Sequence, residues 1–335
     1  MKHSICVAIV FLLFIGYVHA EENPGVMERT GALIELKGHT HLIKSAVFSP
    51  DGTKVATASY DKTARIWDFH AGKVLLLEGH ENILNAVAFS PDGTRVVTAG
   101  TNTHPRIWDA ESGIELQKLE RAMTINSIAF TPDGAKIVTL SNNAVIRIWD
   151  AESGKELRMI EGNTLAVAVI VSQDGKQIVM AGSSSIRTWD LDSGRELKKV
   201  EWRGEGTLGS KAFSPDGNKI VTMASHFRIH DSDTGAEVQR LVGHEGPIAS
   251  AAFSGDGKKI VTRGHDTTVR VWDVESGKEL LKLDESLLGR DIRSGAFRVA
   301  FSLDGTQIIA TGLRTAQIWD WEQLVSPRLP IMRDF

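Results

Sequence analysis

The chain of 335 residues carries 42% hydrophobic side chains, a formal net charge of −4 and an isoelectric point near 6.3. That is enough apolar material for a large core, and charges of both signs are mixed along the chain with no basic tract. A nucleic-acid partner or an affinity for anionic membrane surfaces therefore lacks support.

Lys2 and His3 precede an apolar run from Ile5 to Val18, followed by His19-Ala20 and the polar pair Glu21-Glu22. The run of about 14 residues is short of the ~20 that span a bilayer, and small residues occupy the cleavage positions. Residues 1–20 read as a secretory signal peptide cut after Ala20, with an uncleaved anchor as the other reading. The mature chain is expected to be exported, periplasmic or secreted, without membrane insertion. Cleavage would remove Cys6, the one cysteine, and with it disulfides, Cys-bound zinc and a cysteine nucleophile. Residues 21–31 are expected to form a short leader, 32–321 a repeat domain and 322–335 a tail.

Within 32–321 one unit recurs. Trp67, Trp108, Trp149, Trp189, His230, Trp272 and Trp319 are each followed by Asp, at steps of 41, 41, 40, 41, 42 and 47. An Asp-Gly pair repeats in the same register, beginning at Asp51-Gly52 and ending at Asp304-Gly305. Two independent markers thus agree on seven units. In the first unit Ala46 to Phe48 reads as strand and Ser49-Pro50-Asp51-Gly52 as turn, with Pro presetting φ and Gly accepting φ > 0. Lys54 to Ala58 and Thr63 to Trp67 are the next strands. A Ser-Gly turn such as Glu152-Ser153-Gly154 then leads into a fourth, such as Glu156 to Ile160. Four antiparallel strands taken seven times predict an all-β, seven-bladed β-propeller.

Gly38-His39, Gly79-His80 and Gly243-His244 add a further marker. With them the chain resembles the WD40-repeat family over about residues 32 to 320. The resemblance implies a hydrogen-bonded tetrad of His, Ser/Thr, Asp and Trp in each intact blade. Repeat one supplies His39, Thr57, Asp61 and Trp67, and repeat six supplies His244, Thr262, Asp266 and Trp272 at identical offsets. Repeat two offers His80, Thr98 and Trp108, with Asn102 at the Asp offset. Repeat three keeps Thr139 and Trp149 but has Arg121 for His. Met180 in repeat four, His230 in repeat five and Ala310 in repeat seven break the pattern. The segment after Trp319 has Pro327 and Pro330 and is a poor strand, whereas Ala32 to Lys37 looks like the fourth strands elsewhere. The last blade should therefore be completed by the N-terminal strand, as the resemblance also implies.

No zincin, EF-hand or Gly-x-Ser-x-Gly spacing is present, and Gly204-Glu-Gly-Thr-Leu-Gly209 leads into a strand rather than a helix. No catalytic residue, metal or cofactor is expected. His41, His70, His104, His226 and His265 read as turn residues.

The departures from the repeat are two enlarged loops. Trp272 to Phe301 is 29 residues against 22 from Trp67 to Phe89, and Trp189 to Phe213 is 24. Trp202, Arg203, Arg290 and Arg293 lie in them. Together with Tyr60, Lys62, Asn102, His104, His226, His265 and Arg314 on second-to-third-strand loops they are the candidate binding residues. The expected function is a non-enzymatic, monomeric scaffold holding another protein or a peptide on the propeller face. The alternative is an extracytoplasmic enzyme or a binder of carbohydrate or a small ligand at the channel mouth.

Overall fold

The computed structural model describes residues 25–30, 33–162, 166–182, 185–201, 213–223, 227–284 and 298–325. The signal-peptide segment, Trp202, Arg203, His226, Arg290, Arg293, the Gly204–Gly209 loop and the proline-containing end lie outside the described residues.

The repeated Asp-Gly pair has a local cause. Ser49 Oγ donates to Asp51 Oδ1 (2.6 Å) and accepts from the Lys54 amide (2.9 Å), while the Gly52 amide bonds Ser49 O (2.9 Å). Gly52 sits at φ 72°, a conformation that a Cβ disfavours. The same bonds recur at Ser90/Asp92, Thr131/Asp133, Ser172/Asp174, Ser214/Asp216, Ser254/Asp256 and Ser302/Asp304. The Asp of each Trp-Asp pair caps the next turn: Asp109 Oδ1 accepts from the Ser112 amide (2.7 Å) and hydroxyl (2.6 Å). Both series of aspartates therefore set turns, as their repetition suggested.

Between these turns lie β1 (Val26–Thr30) and β2 (Leu33–Lys37), then the first blade: β3 (Ile43–Phe48), β4 (Lys54–Ser59), β5 (Ala64–Asp68) and β6 (Lys73–Leu77). Blade two is β7 (Leu84–Phe89), β8 (Arg95–Gly100), β9 (Arg106–Asp109) and β10 (Glu115–Lys118). Blade three is β11 (Ile125–Phe130), β12 (Lys136–Ser141), β13 (Val145–Asp150) and β14 (Glu156–Glu161). Blade four is β15 (Ala166–Val171), β16 (Gln177–Gly182), β17 (Ser185–Asp190) and β18 (Glu196–Glu201). Blade five shows β19 (Lys219–Met223), β20 (Phe227–Asp231) and β21 (Glu237–Leu241), with Phe213 bridged to Ile220 where a first strand would run. Blade six is β22 (Ile248–Phe253), β23 (Lys259–Gly264), β24 (Val269–Asp273) and β25 (Glu279–Leu283). Blade seven is β26 (Arg298–Phe301), β27 (Gln307–Thr311) and β28 (Thr315–Asp320), joined by β2 and then β1 in the order β1-β2-β28-β27-β26. Within each blade consecutive strands pair antiparallel; first strands of neighbouring blades touch, and β26 against β3 closes the ring.

The core lies between blades rather than inside one. Each apolar cluster joins two neighbours, as where Ala56, Ile66 and Leu77 of blade one meet Val87, Val96 and Trp108 of blade two. Seven such clusters, counted among the described residues, follow the ring round. The one at the seam packs Ile34, Leu36 and Ile318 of blade seven on Ile43, Val55 and Trp67 of blade one. Leu33 pairs with Trp319 and Lys37 with Thr315, so the expected closure by the N-terminal strand is present.

The leader 21–31 contains strand β1, which pairs with β2 along its length from Val26–Lys37 to Thr30–Leu33 and covers that strand's edge. Gly25, just ahead of it, is packed so closely that a Cβ would meet the Trp67 ring at 2.7 Å. At the other end the repeat gives way to one helical turn, α1 (Trp321–Val325). Trp321 is buried there and donates Nε1–H to Gly305 O (2.7 Å).

Candidate functional site

A buried indole N–H and an imidazole each need a partner, and the tetrads supply them in sequence. Trp67 Nε1 donates to Thr57 Oγ1 (3.0 Å); that hydroxyl lies 2.7 Å from His39 Nε2, and His39 Nδ1 lies 2.7 Å from Asp61. The Asp61 carboxylate also takes the Thr40 amide, fixing the entry to β3. Blade six repeats the chain through Trp272, Thr262, His244 and Asp266 at 2.8, 2.7 and 2.8 Å. In each of these two blades the four side chains are joined in one hydrogen-bonded chain.

Blade two differs from the sequence reading. His80 Nε2 meets Thr98 (2.6 Å) and Trp108 donates to Thr98 (2.8 Å), but Nδ1 meets Thr103 Oγ1 (3.0 Å) rather than Asn102. Asn102, at φ 47°, turns away and accepts from Thr124. In blade three the Trp149–Thr139 bond survives without a histidine (2.9 Å), and in blade five His230 Nε2 takes the place of the indole against Thr222 (2.8 Å).

A second repeated pair was missed in the sequence. Arg106, Arg147, Arg187, Arg228 and Arg270 each stand two residues before the Trp position and reach a glutamate on the adjoining outer strand. The partners are Glu115, Glu156, Glu196, Glu237 and Glu279, the last at 2.7 Å. The signal was available: Arg recurs in Arg-x-Trp-Asp, and Glu recurs two residues after the Ser-Gly or Thr-Gly turn.

Burial disfavours a charged imidazole. It holds His39, His230 and His244 below the usual histidine value, even though Asp61 and Asp266 oppose this for their partners. Among the described residues His80 has no carboxylate partner, and burial with Arg106 and Lys118 nearby lowers it to about 3. The unfolded chain binds a proton near pH 6.5 that native His80 refuses, so its contribution is complete above that value and is lost as pH falls toward about 3. At pH 5 the loss from this one group is about 2 kcal/mol, at ~1.4 kcal/mol per pH unit. Calorimetric melts of the parent and His80→Gln at pH 7 and pH 5 should show a smaller acid-induced drop in the variant. An unchanged drop would contradict the assignment.

The loops from fourth to first strand and from second to third strand share one face, and the candidate binding residues that can be placed lie there. Lys62 is exposed at φ 72°, a turn position shared with Ala144 and Thr267, so its backbone serves the turn and its side chain is free to vary. His104 is exposed and its Nδ1 bonds Leu119 O (2.9 Å). His265 and Arg314 are exposed on their own blades. Tyr60 joins a group. Its ring lies 5.9 Å from that of His41, with Lys44 Nζ 5.8 Å from its centroid. Arg298 Nε donates to Lys44 O (3.3 Å) across the seam of blades seven and one.

Lys44 and Arg298 were not singled out from the sequence. Burial lowers both from their usual values, and for Lys44 the Arg298 charge adds to it. Among the described residues neither has a carboxylate within ion-pair distance. The signal was again present: β3, β7, β11, β15, β22 and β26 contain no charged residues other than these two.

Cavities among the described residues open on the opposite face, formed by the Asp-Gly and Ser-Gly turns. One of about 560 Å³ opens at the channel and is lined by apolar residues including Val47, Val87, Ile128 and Leu303. Another, about 720 Å³, lies by Asp216, Lys219, Gln239, Asp256 and Glu275. Asp216 and Asp256 are already bound to their own turns. Among the described residues no group of three or more His, Cys, Asp or Glu is placed to hold a metal.

A family model described as "WD domain, G-beta repeat" matches residues 31–68, 72–109, 115–150 and 235–273. These fall on blades one, two, three and six, the blades that keep the Thr–Trp bond. The unmatched blades carry Met180, His230 or Ala310 in its place. A curated relative, MST50-interacting protein 11 of Pyricularia oryzae, is 46% identical over 37 residues, which is 11% of this chain and 12% of that protein. Four matched repeats, seven antiparallel blades and the Trp–Thr–His–Asp bonds give one conclusion: the chain is a WD40-repeat β-propeller.

Proposed function

We propose that this protein is an exported, non-enzymatic scaffold that holds another protein or a peptide on the face where Tyr60, Lys62, His104, His265 and Arg314 emerge. The observation that carries this is how the repeated titratable side chains are used. The Gly-His histidines are enclosed in tetrads, and the aspartates of both turn series cap their own turns. What varies from blade to blade is a set of loop side chains on one face, the arrangement by which a rigid scaffold presents a recognition surface. The relative's name, an interacting protein, agrees with this reading over one repeat. Export rests on the apolar run before Glu21 and on the polar chain that follows it.

The test is chemical cross-linking of the protein in its native envelope or medium, with the mass of the recovered chain recorded. The expected result is a chain beginning at Glu21, joined to one partner whose capture falls about tenfold in Tyr60→Ala/His265→Ala, as loss of anchor contacts would give. Equal capture by that variant would remove this face from the account, an intact residue 1 on the recovered protein would remove cleavage, and recovery from the cytoplasm alone would remove export.

A further inference from the structure

Lys44 occupies an irregularity of β3, where the pairing register shifts between Ile43 and Ser45. Such bulges re-aim a side chain, and the same shift recurs between Leu84 and Ala86, Ile125 and Ser127, and Ile248 and Ser250. The residues at the equivalent places are Asn85, Asn126 and Ala249, so the cation at this level of the ring is particular to blade one. Arg298 begins β26, the neighbouring innermost strand, at the same end of the channel. Its Nε is fixed on the Lys44 carbonyl, which leaves both terminal nitrogens of the guanidinium without a hydrogen-bond partner among the described residues. The Tyr60 hydroxyl likewise has none, and the Lys44 ammonium lies 5.8 Å from the centre of the same ring. All three side chains are partly buried.

A fold gains nothing by placing two cations side by side, partly desolvated, and among the described residues no counter-charge meets them. Lys37 and Lys54, by contrast, are each within ion-pair distance of two carboxylates. Net charge is −4 and the cluster is small, which is too little for a polyanion such as nucleic acid but sufficient for one anionic group. We propose that Lys44, Arg298 and Tyr60 form a receptor at the channel mouth for a single oxyanion, carboxylate or phosphate, carried by a partner peptide. The Arg298 fork would take two oxygens, with Lys44 and Tyr60 donating from the other side. This inference rests on reading that face as the partner surface.

The probes are blocked tetra-glutamate, a blocked phosphoserine peptide and blocked tetra-glutamine, measured against the chain from Glu21 onward at low ionic strength. One of the two anionic peptides should bind and raise the melting temperature, and which one does so identifies the oxyanion. Lys44→Met and Arg298→Met should each weaken that binding at least about tenfold, the size expected for a charged hydrogen bond. Lys44→Arg should retain it. Without peptide, Lys44→Met should melt no lower than the parent, because it relieves the crowding of like charges. Tyr60→Phe serves as the mild variant, with a smaller loss of affinity. Binding no better than to tetra-glutamine would overturn the proposal, as would equal binding by the Met variants or a lower melting temperature with affinity kept. A partner still captured by Lys44→Met would remove this receptor and leave the scaffold; peptide binding without any captured partner would do the reverse.

Discussion

Deleting residues 21–38 will leave the ring open and the protein largely insoluble. The loss removes β1 and β2 together, and with them Ile34 and Leu36 from the cluster that joins blade seven to blade one. It also uncovers the backbone edge of β28, a template for intermolecular pairing. Because each core cluster is shared by two blades, this one truncation strips a face from both neighbours. A milder form of the experiment is Leu36→Ala. Leu36 is fully buried, and a truncation of that kind costs about 2–5 kcal/mol. Urea melts of the point variant should fall within that range. A truncated chain that is soluble, monomeric and cooperatively melting would overturn the closure.

The second large effect separates an intact tetrad from a reduced one. Thr57→Val removes the acceptor of the Trp67 indole and the partner of His39 Nε2 at once, both buried. Thr139→Val leaves mainly the Trp149 indole without its partner. Each orphaned buried group costs about 1–3 kcal/mol, so Thr57→Val should destabilise by roughly twice as much as Thr139→Val. The comparison is internal, since both valines fill the same position in blades of the same architecture. Equal losses in matched urea melts would show that the histidine adds nothing to the hydroxyl bond.

Much of the fold was legible because the repeat states its chemistry twice, once in the Trp-Asp series and once in the Asp-Gly series, and both are turn devices. The closing strand was legible for a different reason: Leu33 to Lys37 has the alternation of a fourth strand with no blade of its own to join. What escaped was local. Strand β1 has little apolar alternation and gains its place from pairing with β2 and from Gly25 against Trp67, neither of which a linear pattern records. Thr103 in place of Asn102 depended on which of two adjacent side chains the turn directs at His80. The candidate site was the least legible part. Tyr60 was singled out, but Lys44 and Arg298 stand far apart in sequence and meet through ring closure alone. Lys62, His104, His265 and Arg314 share a face with them.

The central claim is that residues 33–37 complete the blade formed by residues 298–320, and a cross-strand disulfide reads this directly. Lys37 and Thr315 are register partners and both are partly exposed. In a Cys6→Ser background, Lys37→Cys/Thr315→Cys should oxidise within one chain, giving a faster-migrating monomer on non-reducing gels and a raised melting temperature that reductant reverses. A folded, soluble monomer whose two thiols stay free, or that joins only to other chains, would contradict the account.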